Sequence, residues 1–156
     1  MPISSKLKTL LDVNKIRYVV IAHSPAYTAQ EVAASAHIKG KDLVKCVIVN
    51  SEGEHYMVVT NANQRVNLAR FKKALGVTEA RLEKEDEFNN IFDDCEPGAM
   101  PPFGSLYGVS LVVDEAVYAD QEIAFNGGNH SSVVKMAFAD FERLAKPRKA
   151  AVADPL

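Results

Sequence analysis

Two apolar runs separated by a short polar turn constrain the fold of this chain more than any other feature. Residues 43–50 and 55–61 are rich in β-branched side chains, and the turn sequence Ser51-Glu52-Gly53-Glu54 lies between them. This arrangement predicts a β-hairpin. Because the side chains of a strand alternate between its two faces, the hairpin also fixes which residues share a face.

Helix signals flank the hairpin. Thr28 and Glu31 have the spacing of a capping box, and Asn67 can begin a second helix that Gly76 ends. Helical and strand segments alternate along the rest of the chain. The pattern predicts an α/β (mixed α+β) fold in a single domain, with a central mixed sheet that curls toward a barrel and is surrounded by helices. We expect residues 1–146 to form the domain and residues 147–156 to be a loose C-terminal tail, since Pro147 ends the last helix.

Composition excludes several classes of function. The chain has 156 residues and a formal net charge of −2, so no basic field favours duplex DNA. The two cysteines are far apart without a CxxC pattern, and the four histidines lack HxxH spacing. We therefore predict no disulfide framework, no metal and no cofactor. No apolar run is long enough for a membrane span, which predicts a cytoplasmic protein without membrane contact.

Lys45 is the most unusual residue of the first strand. Alternation places its side chain on the face of Leu43, Val47 and Val49, where an ammonium loses hydration and requires a partner or a bound anion. A structural alternative is a lysine whose long stem returns the charge to water. Cys46 points to the other face and is expected to be a small buried thiol.

Two glycine-containing segments are further candidates for a binding site. The loop from Gly98 through Ala99, Met100, Pro101 and Pro102 can present fixed backbone groups to a ligand, because the two prolines stiffen it. The second segment contains Gly127, Gly128 and His130, directly after a predicted strand. Each segment is also compatible with an ordinary turn.

Taken together, these segments resemble the YbaK/prolyl-tRNA-synthetase-associated editing-domain family. Four segments carry the resemblance, and their order and spacing match nearly end to end: residues 23–33, Leu43-Val44-Lys45, Gly98-Ala99-Met100-Pro101-Pro102 and Phe125-Asn126-Gly127-Gly128. Some members have Asn after the signature lysine, where this chain has Cys46.

The resemblance implies a trans-editing aminoacyl-tRNA deacylase that removes a small amino acid of the Ala, Ser, Cys or Thr class without a metal. Its signature lysine falls on Lys45, which with Gly98 would be catalytic. The expected substrate-binding residues are Tyr27, Thr28, Ala99, Met100, Pro101, Pro102, Gly127, Gly128 and His130. The expected partner is the acceptor end of an aminoacyl-tRNA, and a synthetase is a second candidate partner.

Two other functions compete with this interpretation. The same fold can serve as a non-catalytic tRNA- or nucleotide-binding regulatory module. An unrelated small-molecule hydrolase would use Cys46 or a serine as its nucleophile.

Overall fold

The computed structural model describes residues 2–156. Within that range the chain forms five α-helices: α1 (Ser5–Val13), α2 (Ala29–Ala36), α3 (Leu68–Leu75), α4 (Glu85–Phe88) and α5 (Phe138–Ala145). The strands are β1 (Tyr18–Ala22), β2 (Val44–Ser51), β3 (Glu54–Asn61), β4 (Gln64–Val66), β5 (Arg81–Leu82), β6 (Ser110–Asp114), β7 (Glu122–Asn126), β8 (Ser132–Ala137), β9 (Arg148–Ala150) and β10 (Ala153–Pro155). Among residues 2–156, no helix combines the length and apolar character that a membrane crossing needs.

The strands form three sheets. The largest has the order β5-β2-β3-β6-β9, in which β2 and β3 are the predicted antiparallel hairpin and β3–β6 and β6–β9 are parallel. The second is β1-β8-β7, antiparallel throughout, and the third pairs β10 with β4. These sheets confirm a mixed α+β single domain.

The predicted barrel-like curl is not confirmed. None of the three sheets within residues 2–156 closes on itself. Within residues 2–156, an isolated parallel bridge between Leu43 and Ala124 links the five-stranded and three-stranded sheets. One bridge cannot continue the ladder of hydrogen bonds that a closed barrel requires.

Local capping explains where two of the helices begin. The Thr28 hydroxyl accepts from Glu31 N–H at 3.1 Å, and the Glu31 carboxylate accepts from Thr28 N–H at 3.0 Å, so the predicted capping box begins α2. The Asn67 side chain accepts from Arg70 N–H at 3.1 Å and begins α3. Gly76 ends α3 in the left-handed conformation, as predicted.

The five-stranded sheet buries both faces. One face packs with α1 and α5 in the main core, which includes Val44, Ile48 and Val59. The opposite face carries two smaller clusters. One lies under α2 and consists of Leu43, Ala26, Val32, Ala33, Ala36, Ala62, Ala124 and Val133. The other lies under α3 and consists of Val49, Val58, Phe71, Val112 and Val152.

The prediction that residues 147–156 form a loose tail is wrong. β9 pairs with β6 and β10 pairs with β4, and Val152 between them is completely buried. The N–H of Val152 donates to Asp114 Oδ1 at 2.9 Å, and its carbonyl accepts from Asn67 N–H at 2.8 Å. One buried apolar side chain and two satisfied backbone groups therefore hold the tail against the sheet.

We predict that Val152→Ala lowers the free energy of unfolding by about 2 kcal/mol, because it removes buried methyl groups and leaves a cavity. Denaturant unfolding measures the change. Val13→Ala is the matched control: Val13 is 73% exposed, so its loss should alter stability by less than about 0.5 kcal/mol. Equal stability of the Val152→Ala variant and the unsubstituted protein would show that the tail contributes nothing to the fold.

Candidate active site

Lys45 lies in a polar gap between the two smaller clusters. Along β2, Leu43 belongs to the cluster under α2 and Val49 to the cluster under α3, with Lys45 between them on the same face. Across the hairpin, Lys45 pairs with Thr60, which lies between Val58 and Ala62. We call this gap the seam, defined by Lys45 and Thr60.

The ammonium of Lys45 has no fixed partner. It makes no hydrogen bond or ion pair with any side chain in residues 2–156. Burial alone lowers the pKa of Lys45 from the ordinary lysine value, since low-dielectric surroundings disfavour the charged form. A half-buried cation without a counter-charge is suited to bind an anionic or strongly polar ligand group.

Cys46 points away from the seam, as predicted, and packs against the main core. Burial raises the pKa of the Cys46 thiol far above the ordinary value, and nearby Cys95 adds to the increase. A nucleophilic cysteine needs a thiolate near neutral pH, so this environment is opposite to what that chemistry requires.

The loop at Gly98–Pro102 is rigid but leaves two donors unused. Ala99 N–H donates to Glu96 O at 3.0 Å, and the Ala99 carbonyl accepts from Gly128 N–H at 3.0 Å. Gly98 is exposed with a φ of +82°, whereas Ala99 through Pro102 are buried. The N–H groups of Gly98 and Met100 have no acceptor within residues 2–156. Fixed, unpaired N–H groups are the usual components of an oxyanion hole.

Gly127 and Gly128, expected to bind substrate, contact other segments of the chain. Their backbone groups are already paired: Gly127 O accepts from Ser4 N–H at 2.7 Å, and Gly128 O accepts from Glu96 N–H at 2.8 Å. A Cβ on Gly127 would lie 2.7 Å from Ile3 Cγ2, and one on Gly128 would lie 3.0 Å from Ser4 Cβ. These glycines permit close packing of the N-terminal segment and, through Ala99, fix the position of the Gly98 loop.

His130 packs against the same loop. Its Nε2 lies 2.8 Å from the carbonyl of Pro97, which can only accept, so Nε2 is the donor in this contact. Its Nδ1 is buried and has no partner within residues 2–156. The ring of Tyr27 lies 4.7 Å from the His130 ring and is 71% exposed.

The structure therefore brings one group of the predicted residues together and places Lys45 on a strand that neighbours β7. Gly98, Ala99, Gly128, His130 and Tyr27 are connected by the contacts above, and the Leu43–Ala124 bridge joins the strand of Lys45 to β7, from which the glycine pair follows. Thr28 is not available in the same way, because its hydroxyl and N–H form the capping box.

Two buried polar residues were not predicted: Thr60, which pairs with Lys45, and Asn126, on the strand that bridges to Leu43. Thr60 Oγ1 and Asn126 Oδ1 are buried without a partner among residues 2–156. Strand alternation and the hairpin turn could have indicated Thr60.

The described residues contain no cluster of three or more His, Cys, Asp or Glu side chains that could hold a metal. A cavity of about 590 Å³ lies away from this site, between α1 and residues 104–107.

We predict that Gly128→Ala destabilises the fold more than Gly53→Ala. Both glycines have positive φ, at +107° and +82°, so both variants carry backbone strain of about 1–3 kcal/mol. Only at Gly128 does the new Cβ also meet Ser4, whereas nothing lies within 4 Å at Gly53. The difference between the two unfolding free energies isolates the contact with the N-terminal segment. Equal losses would show that this contact tolerates a methyl group.

Comparison with known proteins identifies the family. Residues 23–144 match the family model described as the aminoacyl-tRNA editing domain. The chain is 29% identical over 143 residues to the prolyl-tRNA editing protein ProX of Acetoanaerobium sticklandii, covering 87% of this chain and 86% of that protein. It is 26% identical over 147 residues to the multifunctional Ser/Thr-tRNA deacylase ProXp-y of Escherichia coli, covering 91% and 87%.

A solved structure shows the same fold. The hypothetical protein APE2540 superposes with a TM-score of 0.85 at 21% identity, covering 96% of this chain and 100% of that one. The match to the family model spans well over half of the sequence, and it includes Lys45, the Gly98 loop and the Gly127–Gly128 pair. The chain therefore belongs to the family of aminoacyl-tRNA editing domains.

Proposed function

We propose that this protein hydrolyses the ester of a tRNA mischarged with a small amino acid of the Ala, Ser, Cys or Thr class, acting in trans. Membership of the editing-domain family makes the chain an aminoacyl-tRNA deacylase, an ester hydrolase. The observation that carries the proposal is Lys45, an ammonium without a charged partner between two apolar clusters on one sheet face. The cytoplasmic location and a synthetase as physical partner stay predictions.

The reaction requires orientation more than a strong protein nucleophile. Water attacks the carbonyl carbon of the aminoacyl ester and gives a tetrahedral intermediate with a negatively charged oxygen. The bond from this carbon to the ribose oxygen then breaks, the ribose oxygen takes a proton, and free amino acid and tRNA leave. An aminoacyl ester is already reactive, so a site that holds it beside a water can supply much of the rate.

Three groups of this chain are assigned to that reaction. Lys45 contacts a phosphate or the terminal ribose and holds the ester in place. The N–H groups of Gly98 and Met100 donate to the developing oxyanion, because neither is used within the fold. The terminal 2′- or 3′-hydroxyl of the substrate can assist the attacking water.

Tyr27 and His130 are assigned to substrate binding. The exposed ring of Tyr27 offers a stacking surface for the terminal adenine, since a base–aromatic stack is worth about 1–3 kcal/mol. The unpaired Nδ1 of His130 is an acceptor for a substrate N–H or hydroxyl. Gly127 and Gly128 are assigned to holding the Gly98 loop and the N-terminal segment in place, and not to direct contact with the substrate.

The restriction to small amino acids follows from the stiffness of the loop. Ala99 through Pro102 are buried and contain two prolines, so the loop cannot widen easily to admit a large side chain. A Cβ on Gly98 would lie 3.3 Å from Glu85 Oε1 and 3.8 Å from His130 Cε1, so these two side chains border Gly98. The name of one relative specifies Ser/Thr-tRNA, which agrees with a small acyl group.

We predict that Lys45→Ala lowers kcat/KM for deacylation at least about 100-fold, because the ester is no longer held in the reactive orientation. The fold should remain intact, because the substitution removes a partly desolvated charge that has no partner to leave behind. Lys45→Arg should also fail, since the guanidinium differs in reach and shape.

Lys73→Ala is the matched control, as Lys73 is an exposed lysine on α3. Its deacylation rate should equal that of the unsubstituted protein. Full activity in a folded Lys45→Ala variant would remove Lys45 from the mechanism.

We predict that alanyl, seryl, cysteinyl or threonyl esters are hydrolysed at least about tenfold faster than phenylalanyl or leucyl esters on one tRNA body, because steric clash excludes large groups. The measurement is kcat/KM for matched esters. Similar rates for alanyl and phenylalanyl esters would show that the Gly98 loop does not enclose the amino acid.

A further inference from the structure

Thr60 is a buried hydroxyl beside Lys45 without a function in the fold. It pairs with Lys45 across the β2–β3 ladder, so the two side chains lie next to each other on one face. Its side chain is completely buried, and Oγ1 has no hydrogen-bond partner within residues 2–156. Burying an unpaired hydroxyl costs free energy, which makes such a residue exceptional in a strand of apolar neighbours.

Asn126 lies on β7, the strand that bridges to the segment directly before Lys45. The parallel bridge between Leu43 and Ala124 sets the register of β2 and β7, and two residues further along each strand are Lys45 and Asn126. Alternation places Asn126 on the same face as Ala124 and Lys45 on the same face as Leu43. Asn126 Oδ1 is buried and lacks a partner within residues 2–156.

The three side chains are chemically complementary. An ammonium has three N–H donors and no acceptor, while a threonine hydroxyl and an amide oxygen both accept. The stem of a lysine is flexible, and one water can bridge groups that do not meet directly. Two acceptors flanking Nζ would leave its third N–H to point out of the seam.

We infer that Thr60 and Asn126 are positioning residues that accept hydrogen bonds from the Lys45 ammonium, directly or through one water, and aim its remaining N–H at the substrate. The catalytic consequence of this inference rests on the proposed deacylase function. The proposed hydrogen bonds to the ammonium do not depend on it.

One isosteric and one truncating variant test the two proposed acceptors separately. Thr60→Val removes the hydroxyl while keeping the shape of the side chain, and Asn126→Ala removes the amide. Each should lower kcat about tenfold, since a misdirected ammonium holds the ester in a less reactive orientation. Thr60→Ser retains the acceptor and should restore kcat. Thr78→Val, at an exposed hydroxyl, is the control and should have no effect.

A second readout is independent of catalysis. Proton–carbon NMR of the lysine Cε groups follows the titration of Lys45, whose resonance is assigned by its loss in Lys45→Ala. Hydrogen bonds to acceptors favour the charged form, so their removal should lower the pKa of Lys45 by about one unit in either variant. Thr60→Ser and Thr78→Val should leave it unchanged.

The two readouts distinguish failure of the inference from failure of the proposed function. An unchanged pKa of Lys45 in folded Thr60→Val and Asn126→Ala variants would overturn the inference, regardless of their deacylase activity. A lowered pKa of Lys45 in the two variants, together with no deacylase activity in the unsubstituted protein, would support the hydrogen bonds to the ammonium and reject the proposed deacylation. A lowered pKa and a lowered kcat in the same variants is the result that we expect.

Discussion

The N–H of Ala124 donates to the carbonyl of Asp42 at 2.9 Å, and this contact joins the three-stranded sheet to the five-stranded one. Beyond the adjacent bridge from Leu43 to Ala124, the strands separate, because Asn126 leads into the glycine pair while β2 continues along β3. Lys45 lies at the point of separation. A charge at that position is half-buried between two apolar clusters yet open to a ligand.

Residues distant in sequence support the same region. The N-terminal segment packs on Gly127 and Gly128, and Gly128 N–H holds the Ala99 carbonyl. These contacts fix the loop whose unpaired N–H groups we propose as donors to the oxyanion. The glycines matter because a backbone without side chains lets three segments approach closely. Preorganisation of this kind is how a site without a metal or a nucleophile can stabilise developing charge.

Some of this arrangement was accessible from the sequence. The period of two along residues 43–50 predicts that Lys45 shares a face with Leu43 and Val49 and that Cys46 lies opposite, and both are confirmed. Pairing of Ser51 with Glu54 at the turn implies that Lys45 pairs with Thr60, so the register also followed from the hairpin.

The remaining features depend on contacts between distant segments. Nothing near Gly127 in the sequence indicates that Ile3 will fill the space beside it, or that Asp114 will accept from Val152 in the tail. Asn126 is placed beside Lys45 only by the bridge between two sheets. Turn residues and polar tails have the same local composition whether or not a distant strand pairs with them, so local patterns could not predict these interactions.

The central claim is that the seam and the Gly98 loop together bind the aminoacyl end of tRNA. NMR chemical-shift mapping with a non-hydrolysable analogue, adenosine carrying alanine through a 3′-amide, tests it directly. We expect the largest changes at Lys45 Cε and at the N–H groups of Gly98 and Met100, with Gly53 unaffected. Changes confined to the cavity between α1 and residues 104–107, with none at Lys45, would contradict the assignment of the site.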